Sequence, residues 1–196
     1  ARIGRIYEGT NEINRMLSIG MILKKAMKGE LDIMSAYQDI IENKSQETIE
    51  NSDELNDEIT LVENMKKVFL LLLGKSFEKF GPEIDKNQQV LLSLSDLAIE
   101  TYISESTLKR TVKNIKRTST IDQEYQISMS KLYIYEAAKI IEKKSRDIIN
   151  SVIDDDNQEN IYSSISKKLS YTKNPNIFEL KTHVADKIIA ENKYCF

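Results

Sequence analysis

The chain has 196 residues, a formal net charge of -3, 40% hydrophobic and 30% charged residues, which suits one medium soluble domain, or a small one with an appendage, with enough apolar surface for a core. Six glycines and two prolines are too few for a β-sandwich or barrel, which needs a turn signal every ~8–12 residues, and the mildly acidic balance gives no electrostatic case for nucleic acid. Cys195 is the only cysteine, which excludes an intrachain disulfide and a cysteine-rich zinc site and fits a reducing compartment; no run reads as a signal peptide or is long enough to span a bilayer.

A first helix is predicted from Asn11 to about Lys28. Ile13, Met16, Leu17, Gly20, Leu23, Lys24 and Met27 fall near helical spacing with one polar member, and this is the face expected to be buried. Thr10 or Asn11 can cap its start, with Glu12 in the first turn where the helix dipole favours an acid. Gly29 fits its stop. A shorter helix follows, with Leu31, Met34, Ile40 and Ile41 as its apolar positions.

Residues 42–58, "ENKSQETIENSDELNDE", carry seven acids against one lysine and have no usable period. Most of this reads as a solvated linker, placed at 44–57, between an N-terminal part (1–43) and a helical part (58–196). Three long helical patterns come next. One runs from about Glu58 through "VFLLLLGKSFEKF" to Phe80 and stops at Gly81-Pro82; the others cover about 85–117 and 121–153. Leu91, Leu94, Ser95, Ala98, Tyr102, Glu105 and Leu108 form the stripe of the second. Ile127, Ser130, Leu132, Ile134, Ala137, Ala138, Ile141 and Ile148 form that of the third. Short connections make neighbours antiparallel. Two further helices are predicted at about 158–169 and 177–192, separated by Asn174-Pro175. The expectation is an all-α fold, a helical bundle of mostly antiparallel up-down helices.

One stretch differs from the rest: "RIYEGTNEI", residues 5–13, where Tyr7, Glu8, Gly9 and Thr10 precede the first helix. Glu8 is one of thirty-one acids, and a solvated or capping carboxylate is its plainest reading. Its surroundings add a second one. Gly9 lets the backbone adopt a shape closed to other residues. The helix start behind it offers free N–H groups and a positive dipole end to an anion or polar ligand. Held in an apolar cleft beside Ile6 and Tyr7, the carboxylate would gain basicity and suit a general base.

"RIYEGTNEINR", with "ARIG" before it, resembles the motif near the C-terminal end of the catalytic core of acyl-CoA dehydrogenases, the flavoenzymes of fatty-acid β-oxidation. The resemblance implies that Glu8 removes the α-proton of an acyl-CoA thioester while the β-hydrogen leaves as hydride to FAD. It implies that the Glu8 N–H, with a flavin ribityl hydroxyl, binds the thioester carbonyl, that Gly9 lies against the substrate, and that Thr10, Asn11 and Glu12 touch FAD. Downstream, "KVFLLLLGKSFEKFG", "DKNQQVLLSLSDLAIETYISESTLKRT" and "ENKYCF" resemble the extra C-terminal domain of long bacterial, very-long-chain-type members. On this resemblance residues 1–43 end the catalytic helical domain and 58–196 form the additional one. The family's other domains do not occur in the chain, so the expectation is a C-terminal piece of a longer enzyme that alone neither binds FAD nor turns over substrate. Electron-transfer flavoprotein as acceptor, a homodimer and a bacterial cytoplasmic location, rather than a mitochondrial matrix one, complete what it implies.

The remaining candidates have plainer readings. Lys109, Arg110, Lys113, Lys116 and Arg117 form a basic helix end that complements the dipole, with an acidic partner or membrane surface as the alternative. "FLLLL" at 69–73 reads as a helix buried in the bundle, with peripheral membrane contact as the other use. His183, the sole histidine, has no second nitrogen or thiol ligand near it in sequence, so no metal is assigned. The tyrosines, Tyr133 and Tyr135 among them, read as packing residues with a polar tip. A non-catalytic reading stands beside the enzymatic one, in which 58–196 is a helical dimerisation or peripheral membrane-interaction module.

Overall fold

The computed structural model describes residues 2–42, 54–116 and 122–193. Within these there is no strand. Seven helices run α1 (Asn11–Met27), α2 (Ile33–Ile41), α3 (Asn56–Phe80), α4 (Gln88–Ile115), α5 (Asp122–Val152), α6 (Asp155–Lys168) and α7 (Ile177–Glu191), with short 3-10 turns at Ile3–Arg5 and Gly81–Lys86. The fold is all-α, as expected. Residues 43–53, which hold most of the linker placed at 44–57, and also Arg117 and Cys195, lie outside the described residues.

Helix α3 is the hub because its sequence is apolar on several sides. Ile59, Leu61, Val62, Met65, Val68, Leu72 and Leu73 are all buried, and α2, α4 and α5 pack around them. The "FLLLL" run lies here, with Leu72 and Leu73 fully enclosed. Gly81, at φ +52, ends the helix, a conformation that costs glycine little. Helices α3, α4 and α5 pack on one another, α6 covers α5, and Ile165 and Leu169 seal its end. The acidic stretch does not stay solvated up to the helix. Leu55 is fully buried and Glu58, in the first turn of α3, is 2% exposed.

Two expected stripes are displaced. On α1 the covered side chains are Met16, Ile19, Ile22 and Leu23. Ile13, Leu17, Met21 and Met27 face outward, as do Gly20 and Lys24. The expected stripe is therefore mostly the open side, about a third of a turn from the covered one at 3.6 residues per turn. The helix is apolar over an arc wider than one neighbour can cover, so periodicity alone could not choose the contact. On α2, Tyr37 is the buried residue and Leu31, Met34 and Ile41 are exposed. Its ring lies over Gly74 of α3, where an added Cβ would come within 2.4 Å of a ring carbon, and its hydroxyl donates to Glu78 Oε1 at 2.8 Å. A smaller difference is Tyr102, expected in the α4 stripe but 71% exposed; Leu97, Thr101 and Ser104 are buried instead. Helix α7 buries no residue and lies on α5 through His183, stacked on Tyr125 at 4.3 Å between centroids, and Lys181, paired with Glu136 at 3.3 Å.

A candidate active-site turn at the start of α1

The chain enters α1 through a 3-10 turn in which the Ile6 and Tyr7 N–H groups donate to the Ile3 carbonyl at 3.0 and 3.1 Å. Two consecutive left-handed residues follow, Glu8 at φ +59 and Gly9 at φ +87. Glycine adopts this region readily, whereas a glutamate there is uncommon and is held by its surroundings. The Asn14 side-chain amide supplies one such restraint, donating to the Gly9 carbonyl at 3.0 Å. A Cβ on Gly9 would lie 2.8 Å from Asn14 Oδ1, so a larger residue would push aside the side chain that holds the Gly9 carbonyl and would itself be strained at this positive φ. Thr10 then caps the helix, its Oγ1 accepting from the Ile13 N–H at 3.3 Å. That settles the choice between Thr10 and Asn11. The far end closes at Gly29 (φ +74), with Gly29 N–H to Ala26 and Glu30 N–H to Lys25 carbonyls, both 2.9 Å, the paired arrangement that terminates many helices.

Glu8, Gly9, Asn11 and Glu12 are exposed and Thr10 is half-buried, so the five expected site residues form one continuous corner open to solvent. Ile6 and Tyr7 are also exposed, at 62% and 65%. The apolar cleft expected around Glu8 is not closed by the described residues, because among them the helix packed closely on α1 is α4 and the covered side chains of α1, Met16, Ile19, Ile22 and Leu23, lie beyond its first turn. What the corner offers is a carboxylate, a backbone brought close by glycine, and the first N–H groups of a 17-residue helix, which have no intrahelical acceptor and carry the positive dipole end. Behind it the open apolar side of α1 leads to a cleft of about 420 Å³ lined by Leu23, Met27, Ile33, Met34, Leu73 and Phe77 among others.

Sequence reasoning overlooked the residues that hold the corner. Asn14 acts five positions from Gly9, within reach of a local reading. Arg15 pairs with Asp96 of α4 and also donates to the Leu92 carbonyl at 3.4 Å; a partner eighty-one positions away has no local signature. Ser18 and Ser95 share a hydrogen bond of 3.0 Å beside them.

Lys109, Arg110, Lys113 and Lys116 are exposed, and Lys109 pairs with Glu105 at 2.6 Å. His183 is committed to the Tyr125 stack. Among the described residues no group of His, Cys, Asp or Glu is arranged to hold a metal ion, and no helix is long and apolar enough to cross a membrane.

Residues 64–167 match the family described as acyl-CoA dehydrogenase, C-terminal domain. The chain is 30% identical, over 99% of its length, to a Bacillus subtilis (strain 168) protein named "Probable acyl-CoA dehydrogenase". Its fold is similar to a crystal structure of acyl-CoA dehydrogenase complexed with FAD from Bacillus anthracis, with a TM-score of 0.91 and 32% identity over 100% of this chain. In both cases the chain spans 33% of the relative.

Proposed function

The chain belongs to the acyl-CoA dehydrogenase C-terminal domain family, and from that premise we propose that it serves as the C-terminal third of an FAD-dependent enzyme that α,β-dehydrogenates fatty acyl-CoA thioesters. The observation that carries the reading is the left-handed Glu8–Gly9 corner at the start of α1. In this proposal Glu8 is the catalytic base. Its carboxylate takes the proton from the α-carbon of the thioester as that C–H bond breaks, and the β-hydrogen departs with its electron pair. FAD, when bound, supplies the acceptor for that hydride.

The remaining steps belong to this chain's own residues. The Glu8 N–H donates to the thioester carbonyl and stabilises the charge that develops there, as oxyanion-type donors do. Gly9 lets the substrate approach the backbone. Thr10, Asn11 and Glu12 hold FAD, and the corner is suited to holding it. First-turn N–H groups and the dipole end match the polar parts of a dinucleotide, and Gly9 leaves the approach free of a side chain. The walls that desolvate Glu8 and raise its basicity come from the other two thirds of the enzyme. So does the pocket that measures the acyl chain. On its own the chain therefore retains no FAD and no activity.

Further parts of the proposal rest on the resemblance: membership of the very-long-chain-type bacterial branch, residues 1–43 as the end of the catalytic domain and 58–196 as an added helical domain, electron-transfer flavoprotein as acceptor, a homodimer, and a bacterial cytoplasmic location. To test the central role, Glu8→Gln is made in the longer polypeptide. The expected result is a ~10²–10⁴-fold fall in kcat, the range for loss of a positioned general base, with the flavin absorbance per protein unchanged. Near-normal turnover in Glu8→Gln would remove Glu8 from the role. A stoichiometric flavin band in the purified 196-residue chain would overturn the claim that this part alone cannot hold FAD.

A further inference from the structure

From the contacts between α1 and α4 we infer that Asp96 is a positioning residue for Glu8, the point at which the added bundle sets the placement of the catalytic corner. The inference rests on Glu8 being the base. Three observations carry it. First, the corner is tied to the beginning of α1 and not to a loop of its own: Asn14 holds the Gly9 carbonyl and Thr10 caps the helix, so the Glu8 backbone moves with the first turns of α1. Second, α4 is the helix on which α1 lies, and their polar ties gather near the corner. The Arg15 guanidinium pairs with Asp96 and reaches the Leu92 carbonyl, and Ser18 meets Ser95. Arg15 follows Asn14 directly, so the ties to the corner and to the bundle are on adjacent residues. Third, Asp96 is shared. Lys144 of α5 lies 3.4 Å from its other carboxylate oxygen, so one partly buried acid joins α1, α4 and α5.

Such a joint fixes both rotation and axial slide. Apolar packing by Met16, Ile19, Ile22 and Leu23 tolerates small sliding, because contact free energy changes little while area stays covered. One guanidinium nitrogen of Arg15, Nη2, is shared between the Asp96 carboxylate and the Leu92 carbonyl, and a planar donor held between two acceptors is geometrically specific. Proton abstraction needs that specificity, since a displacement of about 1 Å can cost roughly a hundredfold in rate. Asp96 touches neither substrate nor cofactor; it acts through Arg15 and α1.

The test uses the longer polypeptide with FAD bound. Asp96→Asn keeps shape and removes charge; Arg15→Lys keeps charge and removes the planar guanidinium. Each should lower kcat about tenfold, with KM for acyl-CoA and flavin content within about twofold of wild type and a larger α-deuterium isotope effect. The double variant should lose much less than the product of the two single losses, the mark of one shared interaction. Glu83→Gln, which breaks the exposed Glu83–Lys86 pair (2.8 Å) elsewhere in the same bundle, should leave kcat unchanged. A readout without substrate accompanies these: in the 196-residue chain, amides of residues 8–14 should exchange faster in Asp96→Asn than in Glu83→Gln. Should Asp96→Asn misfold, Arg15→Lys and its isotope effect carry the test. If Glu8→Gln abolishes turnover while Asp96→Asn and Arg15→Lys retain wild-type kcat, or if the two losses multiply, the positioning role is overturned and the base assignment survives. If Glu8→Gln itself turns over normally, the base assignment falls and this inference with it.

Discussion

Among the described residues from Leu55 to Leu169 four large apolar side chains are exposed, whereas between Ile3 and Ile41 there are ten. Both regions are built from helices with ample apolar content, so the difference lies in how many faces find a neighbour. Helix α3 is apolar on several sides and has helices on each of them. Helix α1 is apolar over a similarly wide arc and, among the described residues, lies closely on α4 alone. A contiguous open apolar surface on a soluble domain marks a contact, and here it adjoins the left-handed Glu8 that precedes α1. The bundle completes its own core; the N-terminal corner leaves an apolar side of α1 open.

Truncation separates the two regions most sharply. In the 196-residue chain Leu72→Ala, at the centre of α3, should cost about 2–5 kcal/mol by denaturant unfolding, the range for emptying a core site. Leu17→Ala, on the open side of α1, should stay within about 0.5 kcal/mol. Equal costs would mean that the open face is covered in solution. Gly74→Ala comes next. It sets a methyl against the Tyr37 ring and should cost about 1–3 kcal/mol as an overpacked contact, while Tyr37→Phe, which removes the hydroxyl that meets Glu78 and Lys75, should cost about 1 kcal/mol. If Gly74→Ala were neutral, α2 would not be docked through this notch.

A pH comparison tests the bundle from within. Burial pushes the Glu58 carboxyl above the ordinary carboxylate value of 4.5, with Lys131 opposing the rise. The neighbouring Tyr171 is pushed up by burial and by the Glu58 charge, although its buried hydroxyl makes no hydrogen bond of ordinary geometry. With the folded value raised, the folded chain holds the proton more tightly than the unfolded one. The stability Glu58 contributes is thus complete below about pH 4.5 and is lost as pH rises through the folded value. Glu58→Gln should therefore be more stable than wild type at pH 7, with the gap closing below about pH 4.5. Glu78, Glu105 and Glu142 are held below the ordinary value against the desolvation that burial imposes, by hydrogen bonds from Lys75, from Lys109 and Lys66, and from Ser166 and Lys139 respectively. Their contributions run the other way and are lost as pH falls, so the informative quantity is the difference between Glu58→Gln and wild type. A gap independent of pH would contradict the assignment. Smallest of all, Phe178→Ser on α7, at a side chain 84% exposed, should change stability by less than about 0.5 kcal/mol.

Much of this architecture was legible because helix boundaries are written locally. Gly29, Gly81-Pro82, the Thr10 cap and the break at Asn174-Pro175 mark termini that agree with the structure within a few residues. Facing was less legible. The choice between the two apolar sides of α1, and Tyr37 as the anchor of α2, depended on helices far along the chain. The turn at the corner was readable, since a glycine followed by a capping residue marks the entry to a helix; the left-handed Glu8 was not, because nothing local favours that conformation in a glutamate. What holds it in place was not, because the Arg15–Asp96 tie joins residues that only the fold brings together.

The most direct measurement is α-hydrogen exchange. Incubated with acyl-CoA in heavy water, the longer wild-type polypeptide with FAD bound should place deuterium on the α-carbon, and its Glu8→Gln variant, with equal flavin content, should not. Undiminished exchange in Glu8→Gln would contradict the account, because another group would then be removing the proton.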